Sequence, residues 1–331
     1  MSNSAVDVVG IGNAIVDVLA HADDAFIDAH GLSKGTMTLI DEATAERLYS
    51  AMGPAIEASG GSAANTIAAL ASLGGTGGFV GKVRDDQLGT IFGHDIQALG
   101  ITFATPPATT GPSSTARCLV LVTPDAQRTM QTYLGAAAEL SPADIDRDLI
   151  MSARITYLEG YLWDRPLAKE AFRKAAVTAH DAGRLVALSL SDPFCVDRHR
   201  ADFLDLVEHH VDILFANEDE IVSLYQVHAF DDALQHVRGH CWVAALTRSE
   251  KGSVVISADE VHVVDAEPVD AVVDTTGAGD AYAAGFLYGL TRNHDLGTCA
   301  RLGGIASAEV IGHVGARPEV PLAELAAAKL G

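Results

Sequence analysis

Positive charge is scarce in this chain. Its 331 residues hold 22 Lys and Arg against 44 Asp and Glu, a net charge of −22. That balance argues against nucleic acid as the main partner, because phosphate backbones are held by clustered cations. It leaves nucleotides open, since backbone N–H groups, Mg²⁺ and a few local cations are enough to hold them. Cysteine is also sparse. Cys118, Cys195, Cys241 and Cys299 are far apart and form no CxxC, so reduced thiols and a cytoplasmic location are expected. There is no apolar run of membrane-spanning length. The opening MSNSAVDVVGIG has no basic leader region and already reads as a strand, so neither a membrane span nor a signal peptide is expected. Internal repeats and long low-complexity linkers are absent too. What is present is apolar material: 48% of the residues are hydrophobic, enough for a sizeable core in one large α/β domain or two ordinary ones.

The periodicity favours one domain. Val6 to Gly12 reads as a buried strand ending in a glycine turn, and residues 60–73 as a glycine loop followed by an Ala-rich helix. Residues 74–83 turn into another strand, and 85–99 read as another helix. From residue 150 the rhythm is regular. Strands at ARITYLEG, RLVALSLS, VDILFAN and CWVAALT alternate with helices at PLAKEAFRKAAVTAHDAG, ADFLDLVEHH and DDALQHVRGH, and a hairpin follows at GSVVISADEVHVVDA. Such alternation builds right-handed βαβ units on a mostly parallel sheet. The first third breaks this rhythm with short β pieces at 35–40 and 115–123, read as a small separate sheet.

Several motifs fail on inspection. Gly10-Ile-Gly12 has Ile15 where a dinucleotide fingerprint needs its third glycine. Gly81-Lys82 has Thr76 at the first P-loop glycine and Val83 after the lysine. His236 and His240 share a helix face next to Cys241, but no matching ligand pattern accompanies them, and a solvated face is the simpler reading. Gly60-Gly61-Ser62-Ala63-Ala64 lacks the last glycine of a nucleophile elbow.

Three short elements carry more weight together. They are Gly60-Gly61-Ser62-Ala63-Ala64-Asn65, Asn217-Glu218-Asp219-Glu220, and Asp274-Thr-Thr-Gly-Ala-Gly-Asp280. Each is expected at the C-terminal end of a strand, where open parallel sheets gather ligands. A helix start after Gly277-Ala278-Gly279 offers unpaired N–H groups and partial positive charge, which suits a phosphate. It equally suits Asp280 as a plain N-cap.

The combined pattern resembles the ribokinase-like (PfkB-type) carbohydrate and nucleoside kinases. Their D-T-x-G-A-G-D signature is matched by Asp274–Asp280, their Gly-Gly-x-x-x-Asn element by Gly60, Gly61 and Asn65, and their N-x-x-E element by Asn217 and Glu220. The resemblance implies a three-layer α/β/α fold with a mostly parallel central sheet and a small β-sheet lid, its segments near 14–20, 35–40 and 101–123. It implies transfer of the γ-phosphoryl group of ATP to a hydroxyl. Asp280 corresponds to the general base, and Gly277, Ala278 and Gly279 to an anion hole. A helix N-terminus keeps such a carboxylate ionised with a low pKa. Asn217, Thr247, Ser249 and Gly252 correspond to ATP contacts, and Glu220 to an acid that reaches Mg²⁺ through water. Arg128 corresponds to a lid-side arginine near the phosphates. Backbone carbonyls of Asp274, Thr276 and Gly315 are the place for a monovalent cation such as K⁺.

On the acceptor side, Asn13, Asp17, Gly60, Gly61, Ser62 and Asn65 correspond to sugar contacts. Ionised aspartate accepts from a vicinal diol, and asparagine both donates and accepts. LSLSDPF (188–194) and YLEGYLWDRP resemble stretches of the adenosine kinase branch. A purine needs an apolar slot, for which Met37, Leu39, Tyr161, Leu162 and Trp163 are candidates. A nucleoside acceptor is therefore expected, adenosine first. Ribose, fructose or a keto-deoxy sugar acid is the alternative, and a non-catalytic binding protein a more distant one. Monomer and homodimer are equally compatible with the sequence.

Overall fold

The computed structural model describes residues 6–331 apart from 112 and 126. In chain order, β1 (Val6–Ile11) leads into β2 (Ile15–His21), α1 (Asp24–Ala29), β3 (Met37–Leu39), α2 (Glu42–Ala51), β4 (Ala55–Gly60), α3 (Ser62–Ser72), β5 (Gly77–Val80), α4 (Gln87–Ala98), β6 (Thr102–Phe103), β7 (Ala116–Val122) and β8 (Arg128–Tyr133). The second part continues with α5 (Arg147–Ser152), β9 (Ala153–Glu159), α6 (Pro166–Asp181), β10 (Leu185–Ser189), α7 (Pro193–His209), β11 (Ile213–Asn217), α8 (Glu218–Tyr225), α9 (Phe230–Val237) and β12 (Val243–Thr247). The hairpin β13 (Ser253–Ser257) and β14 (Val261–Val264) follows, then α10 (Ala278–Thr291), α11 (Leu296–Val310) and α12 (Leu322–Leu330).

Nine strands form one sheet in the order β14-β13-β12-β11-β10-β9-β1-β5-β6, parallel except for the terminal hairpin. Every residue of β1 is buried, because it runs between β5 and β9 with a helical layer on each face. One layer holds α3, α10, α11 and α12 against Val8, Ile155 and Phe215. The other holds α6 to α9 against Val9, Leu158 and Leu188. Helix α6 shows why these segments fold as they do. Ala168, Ala171, Phe172, Ala175, Ala176 and Ala179 repeat at helical spacing and are buried, and Pro166 opens the first turn. Asp192 caps α7 by accepting from the Cys195 N–H, with Pro193 next.

The second sheet has five strands in the order β3-β8-β7-β2-β4. Its members include the expected segments 14–20 and 35–40 and the latter part of 101–123. Two expectations need correction. Thr102 and Phe103 pair with Gly78 and Phe79, at the edge of the large sheet. Phe103 turns there to meet Phe79 and Phe92, so aromatic packing holds it out of the small sheet. Pro112, inside the same segment, lies outside the described residues. Conversely, β4 and β8 join the small sheet, although the glycines after β4 and the turn before β8 masked their strand character. No helix among the described residues is long and apolar enough to cross a membrane.

Candidate active site

Two helix N-termini meet where the sheets adjoin. Helix α10 starts at Gly277, which adopts φ +79° and has no side-chain cap. Asp280 stands in its first turn, yet its carboxylate does not cap the helix. Oδ1 accepts from Ser62 Oγ at 2.6 Å, and Oδ2 has only a long contact, 3.4 Å, from Asn65 Nδ2. Ser62 and Asn65 belong to the first turn of α3, whose own N-cap, Gly61, has φ +99°. Ser62 thus orients Asp280, and Oδ2 is left as the freer oxygen. Burial pushes Asp280 up to about 6, against the lowering effect of Ser62 and Asn65. The low pKa expected from the helix terminus alone is corrected: desolvation outweighs the favourable groups around it.

Asp17 faces this pair from β2, on the small sheet. Burial pushes it up to about 6 as well, opposed by the positive charges of Arg317 and Arg128 and reinforced by Asp280. The carboxylate lies over Gly60, on the paired strand β4, so closely that a Cβ there would collide with Oδ2. A Cβ on Gly61 would likewise strike the carbonyl of Asn13. These two glycines let β4 and the β1–β2 turn pass each other at the site.

Asn13, in that turn, is buried. Its backbone N–H and Nδ2 both donate to Glu159 Oε1, at 3.3 and 2.6 Å. Glu159 Oε2 accepts from the Ala63 N–H of α3 at 2.8 Å. Glu159 is only 1% exposed, and burial raises it to about 7 despite three donors. With the amide nitrogen so held, Asn13 Oδ1 is buried with no partner. Glu159 was not among the residues singled out from sequence. The usable signal was an acid closing an otherwise apolar strand, ITYLE, at its C-terminal end.

Arg317 was missed too. Its Nε donates to Asn65 Oδ1 at 3.2 Å, and Nη1 reaches Asp95 Oδ2 at 3.4 Å. Asp95 Oδ2 also accepts from the Ser59 N–H and Oγ. These partners are more than 200 residues from Arg317 in the chain, which no local pattern reports. Arg128 pairs through Nη1 with Asp274 Oδ2 at 2.7 Å. Asp274 also accepts from the Thr276 N–H and Oγ1 and from the Gly315 N–H. The structure therefore brings Asp274, Thr276 and Gly315 together, with the carboxylate fully engaged and backbone carbonyls the remaining donors for a cation. Arg128 and Arg317 each keep a buried Nη2 without a partner.

The strand ends of β11 and β12 form a second, more exposed arrangement. Asn217 and Glu220 make a reciprocal capping box on α8: Asn217 Oδ1 accepts from the Glu220 N–H, while Glu220 accepts from the Asn217 N–H and Nδ2 at 2.9 and 2.7 Å. Burial raises Glu220 to about 7. Thr247 lies opposite Asn217 in the sheet, and a tight turn follows through Ser249 and Gly252, with φ +51° and +79°. Arg248 pairs with Glu218 at 3.1 Å and lies over the Phe230 ring. No three His, Cys, Asp or Glu side chains converge as a metal site among the described residues. A divalent ion would have to take most ligands from phosphate and water, which suits Mg²⁺, with Glu220 reaching it through water. His236 packs at a tilt against Tyr225, with ring centroids 5.4 Å apart.

The proposed purine walls separate into two groups. Leu162 and Trp163 are corrected: both are buried in the core beside α6 and α7, where Trp163 packs on Phe172 and Phe203 and donates to Asp202. Hydrophobic burial of that size stabilises the fold by ~2–3 kcal/mol per side chain, and it takes them away from any slot. Met37 and Leu39, on the edge strand β3, are 48% and 52% exposed. Tyr161 is half-buried, and its hydroxyl donates to the Ser191 carbonyl at 3.1 Å. Ser191 adopts φ +74°, a strained value for serine. Three residues on, Phe194 is 76% exposed, an aromatic face that sequence reading left unassigned.

Residues 55–323 match the family model described as pfkB family carbohydrate kinase. A solved structure described as adenosine kinase from Sinorhizobium meliloti is 52% identical, with a TM-score of 0.90 over 98% of this chain and 99% of that one. One described as a probable sugar kinase protein from Rhizobium etli is 49% identical, also with a TM-score of 0.90, over 99% and 98%. Adenosine kinase of Saccharomyces cerevisiae is 25% identical over 97% of this chain and 99% of its own.

Proposed function

The chain belongs to the pfkB family of carbohydrate kinases and is a phosphotransferase with an alcohol group as acceptor, and on that premise we propose that it phosphorylates the hydroxymethyl group of a nucleoside, adenosine first. The supporting observation is the pairing of a polar diol site with an aromatic face. Asp17 and Asn65 face Asp280, and Asn13 is tied through Glu159 to the same helix start; Tyr161 lies within electrostatic reach of Asp280 and Glu159 and bonds Ser191, three residues before the exposed Phe194. A ribose and a purine ask for these two chemistries side by side.

In this reading the acceptor hydroxyl approaches Asp280 Oδ2, the oxygen with only a long contact. The hydroxyl oxygen forms a bond to the γ-phosphorus of ATP as the bond to the bridging oxygen of ADP breaks. Asp280 takes the proton. A pKa near 6 suits that task better than an unperturbed aspartate, because base strength rises while the group stays ionised at neutral pH. The N–H groups at Gly277 and Gly279 stabilise the charge on the transferring group, and the Ala278 N–H, which donates to the Thr275 carbonyl at 3.2 Å, joins them only if that bond yields. A Cβ on Gly279 would meet open space, which leaves the approach clear. Mg²⁺, when it accompanies ATP, neutralises phosphate charge, and Glu220 with Asn217 would hold its waters. Arg128 lies on the small sheet, which acts as a lid. In that role Arg128 exchanges Asp274 for phosphate oxygens on closure. Carbonyls of Asp274, Thr276 and Gly315 would take K⁺, a reading that equal rates in K⁺, Na⁺ and choline buffers would remove.

A sugar acceptor is the second reading. It is supported by the Rhizobium etli relative and by the loss of Leu162 from the slot. An ADP-release screen separates the two. Turnover of adenosine without response to ribose, fructose or keto-deoxy sugar acids supports the nucleoside, and the reverse selects the sugar.

A further inference from the structure

The two asparagines of the acceptor site are held by opposite charges. Glu159 grips the Asn13 amide nitrogen and leaves Oδ1 bare. Arg317 does the reverse at Asn65: Nε donates to Oδ1, which turns Nδ2 toward Asp280. An asparagine amide has two nearly isosteric orientations, and the surrounding hydrogen bonds select between them. Asn65 has one strong selector. Flipped, it would point Nδ2 at a guanidinium and Oδ1 at a carboxylate, two repulsive contacts in place of two attractive ones. Arg317 is itself fixed through Nη1 by Asp95, which Ser59 of β4 holds with two further hydrogen bonds. The line Ser59–Asp95–Arg317–Asn65–Asp280 therefore runs from the small sheet to the freer oxygen of Asp280.

We propose that Arg317 is a positioning residue that locks the Asn65 amide with its nitrogen toward Asp280 and the acceptor, so that Asn13 presents an acceptor and Asn65 a donor to the substrate hydroxyls. The kinetic part of this inference rests on the kinase reading above, whereas the orientation of Asn65 does not. A diol bound here donates hydrogen bonds to Asn13 Oδ1 and to Asp17 and accepts one from Asn65 Nδ2. An acceptor stripped of the hydroxyl facing Asn65 loses its discrimination between wild type and variants.

Two measurements test it. In the ligand-free protein, the side-chain amide of Asn65, assigned through Asn65→Asp, gives one pair of ¹H–¹⁵N resonances in wild type. In Arg317→Met the pair should broaden or double. An unchanged sharp pair overturns the lock whatever the substrate proves to be. The second is a double-mutant cycle on kcat/KM, with the acceptor that gives most turnover. Arg317→Met and Asn65→Ala should each cost roughly tenfold to a hundredfold, the range for a hydrogen bond to a charged group. Measured well above the titration of Asp17, where the Arg317 charge no longer decides whether that carboxyl is ionised, the double variant should be no worse than Asn65→Ala alone. Multiplying losses would show an independent role and overturn the proposal. Arg317→Lys, which keeps a donor and a charge, should recover most of the rate. Should Arg317→Met fail to fold, the cycle is run with Arg317→Lys and Arg317→Gln, with the same criterion of non-additivity.

Discussion

On the proposed reading, the acceptor end and the nucleotide end of the cleft treat their acids differently. At the nucleotide end, Glu220 is closed into a capping box and Glu218 into ion pairs with Arg248 and Lys251. At the acceptor end, the site keeps spare capacity: a bare Asn13 Oδ1 and an Asp280 oxygen with one long contact. Buried polar groups are normally satisfied, since leaving one unpaired costs about 1–3 kcal/mol. Unpaired buried groups occur elsewhere too, as at Thr156 and Tyr225, so on the proposed reading it is the convergence of Asn13 Oδ1 with the free side of Asp280, not an unpaired group alone, that points to the acceptor.

The sharpest way to break this contrast is at Asp280. Asp280→Asn should lower kcat by ~10³-fold, within the range of general-base catalysis, while calorimetry finds acceptor affinity nearly unchanged. Retention of near-full rate would sink the assignment. In wild type, kcat/KM should fall below an apparent pKa of about 6, with Asp17 contributing to the same limb because both titrate there. The stability sign runs the other way. A carboxyl raised from 3.8 to about 6 favours the fold below its unfolded pKa, and that contribution is lost as pH rises through 6. Ligand-free Asp280→Asn should thus melt higher than wild type at pH 7.5, and the gap should close near pH 4.

Next in size is Gly60→Ala. Its Cβ would displace the Asp17 carboxylate, and the acceptor KM should rise by ~10–100-fold, the loss of one or two hydrogen bonds to a charge. The KM for ATP should hold steady; parallel increases in both would mean the cleft is not divided as described. Smallest is Asn217→Ala at the nucleotide end. Losing the cap should cost ~1 kcal/mol of stability, seen as a lower Tm, with a kcat effect well below that of Asp280→Asn. A kcat loss of equal size would erase the distinction between the two ends.

Much of this was legible in the chain. The strand–helix alternation after residue 150 required a parallel sheet, and its apolar strands required cover on both faces. Gly60, Gly61, Asn65 and Asp280 could be placed because glycines and acids at helix starts are local signals. What stayed hidden was pairwise. Glu159 gains its part from Asn13 and Ala63, and Arg317 from Asn65 and Asp95, across separations no spacing encodes. Leu162 and Trp163 misled because an apolar side chain after a strand end serves a core or a slot equally well, and only the position of α6 and α7 decides. Thr102 and Phe103 misled because two residues of extended chain carry no label for the sheet they join.

The joints of the small sheet carry a last consequence. The chain enters it from β1 through residues 12–14 and leaves β4 for α3 through Gly61. Asn13 sits in the first joint, and Asp17 and Gly60 stand beside the second. On the proposed lid reading, hinge and pocket share the same few residues. Lengthening either joint would change acceptor affinity at once, whereas the far turns of the sheet are free to drift. Along a lineage, the opening rate of this sheet and its choice of acceptor would have to change together.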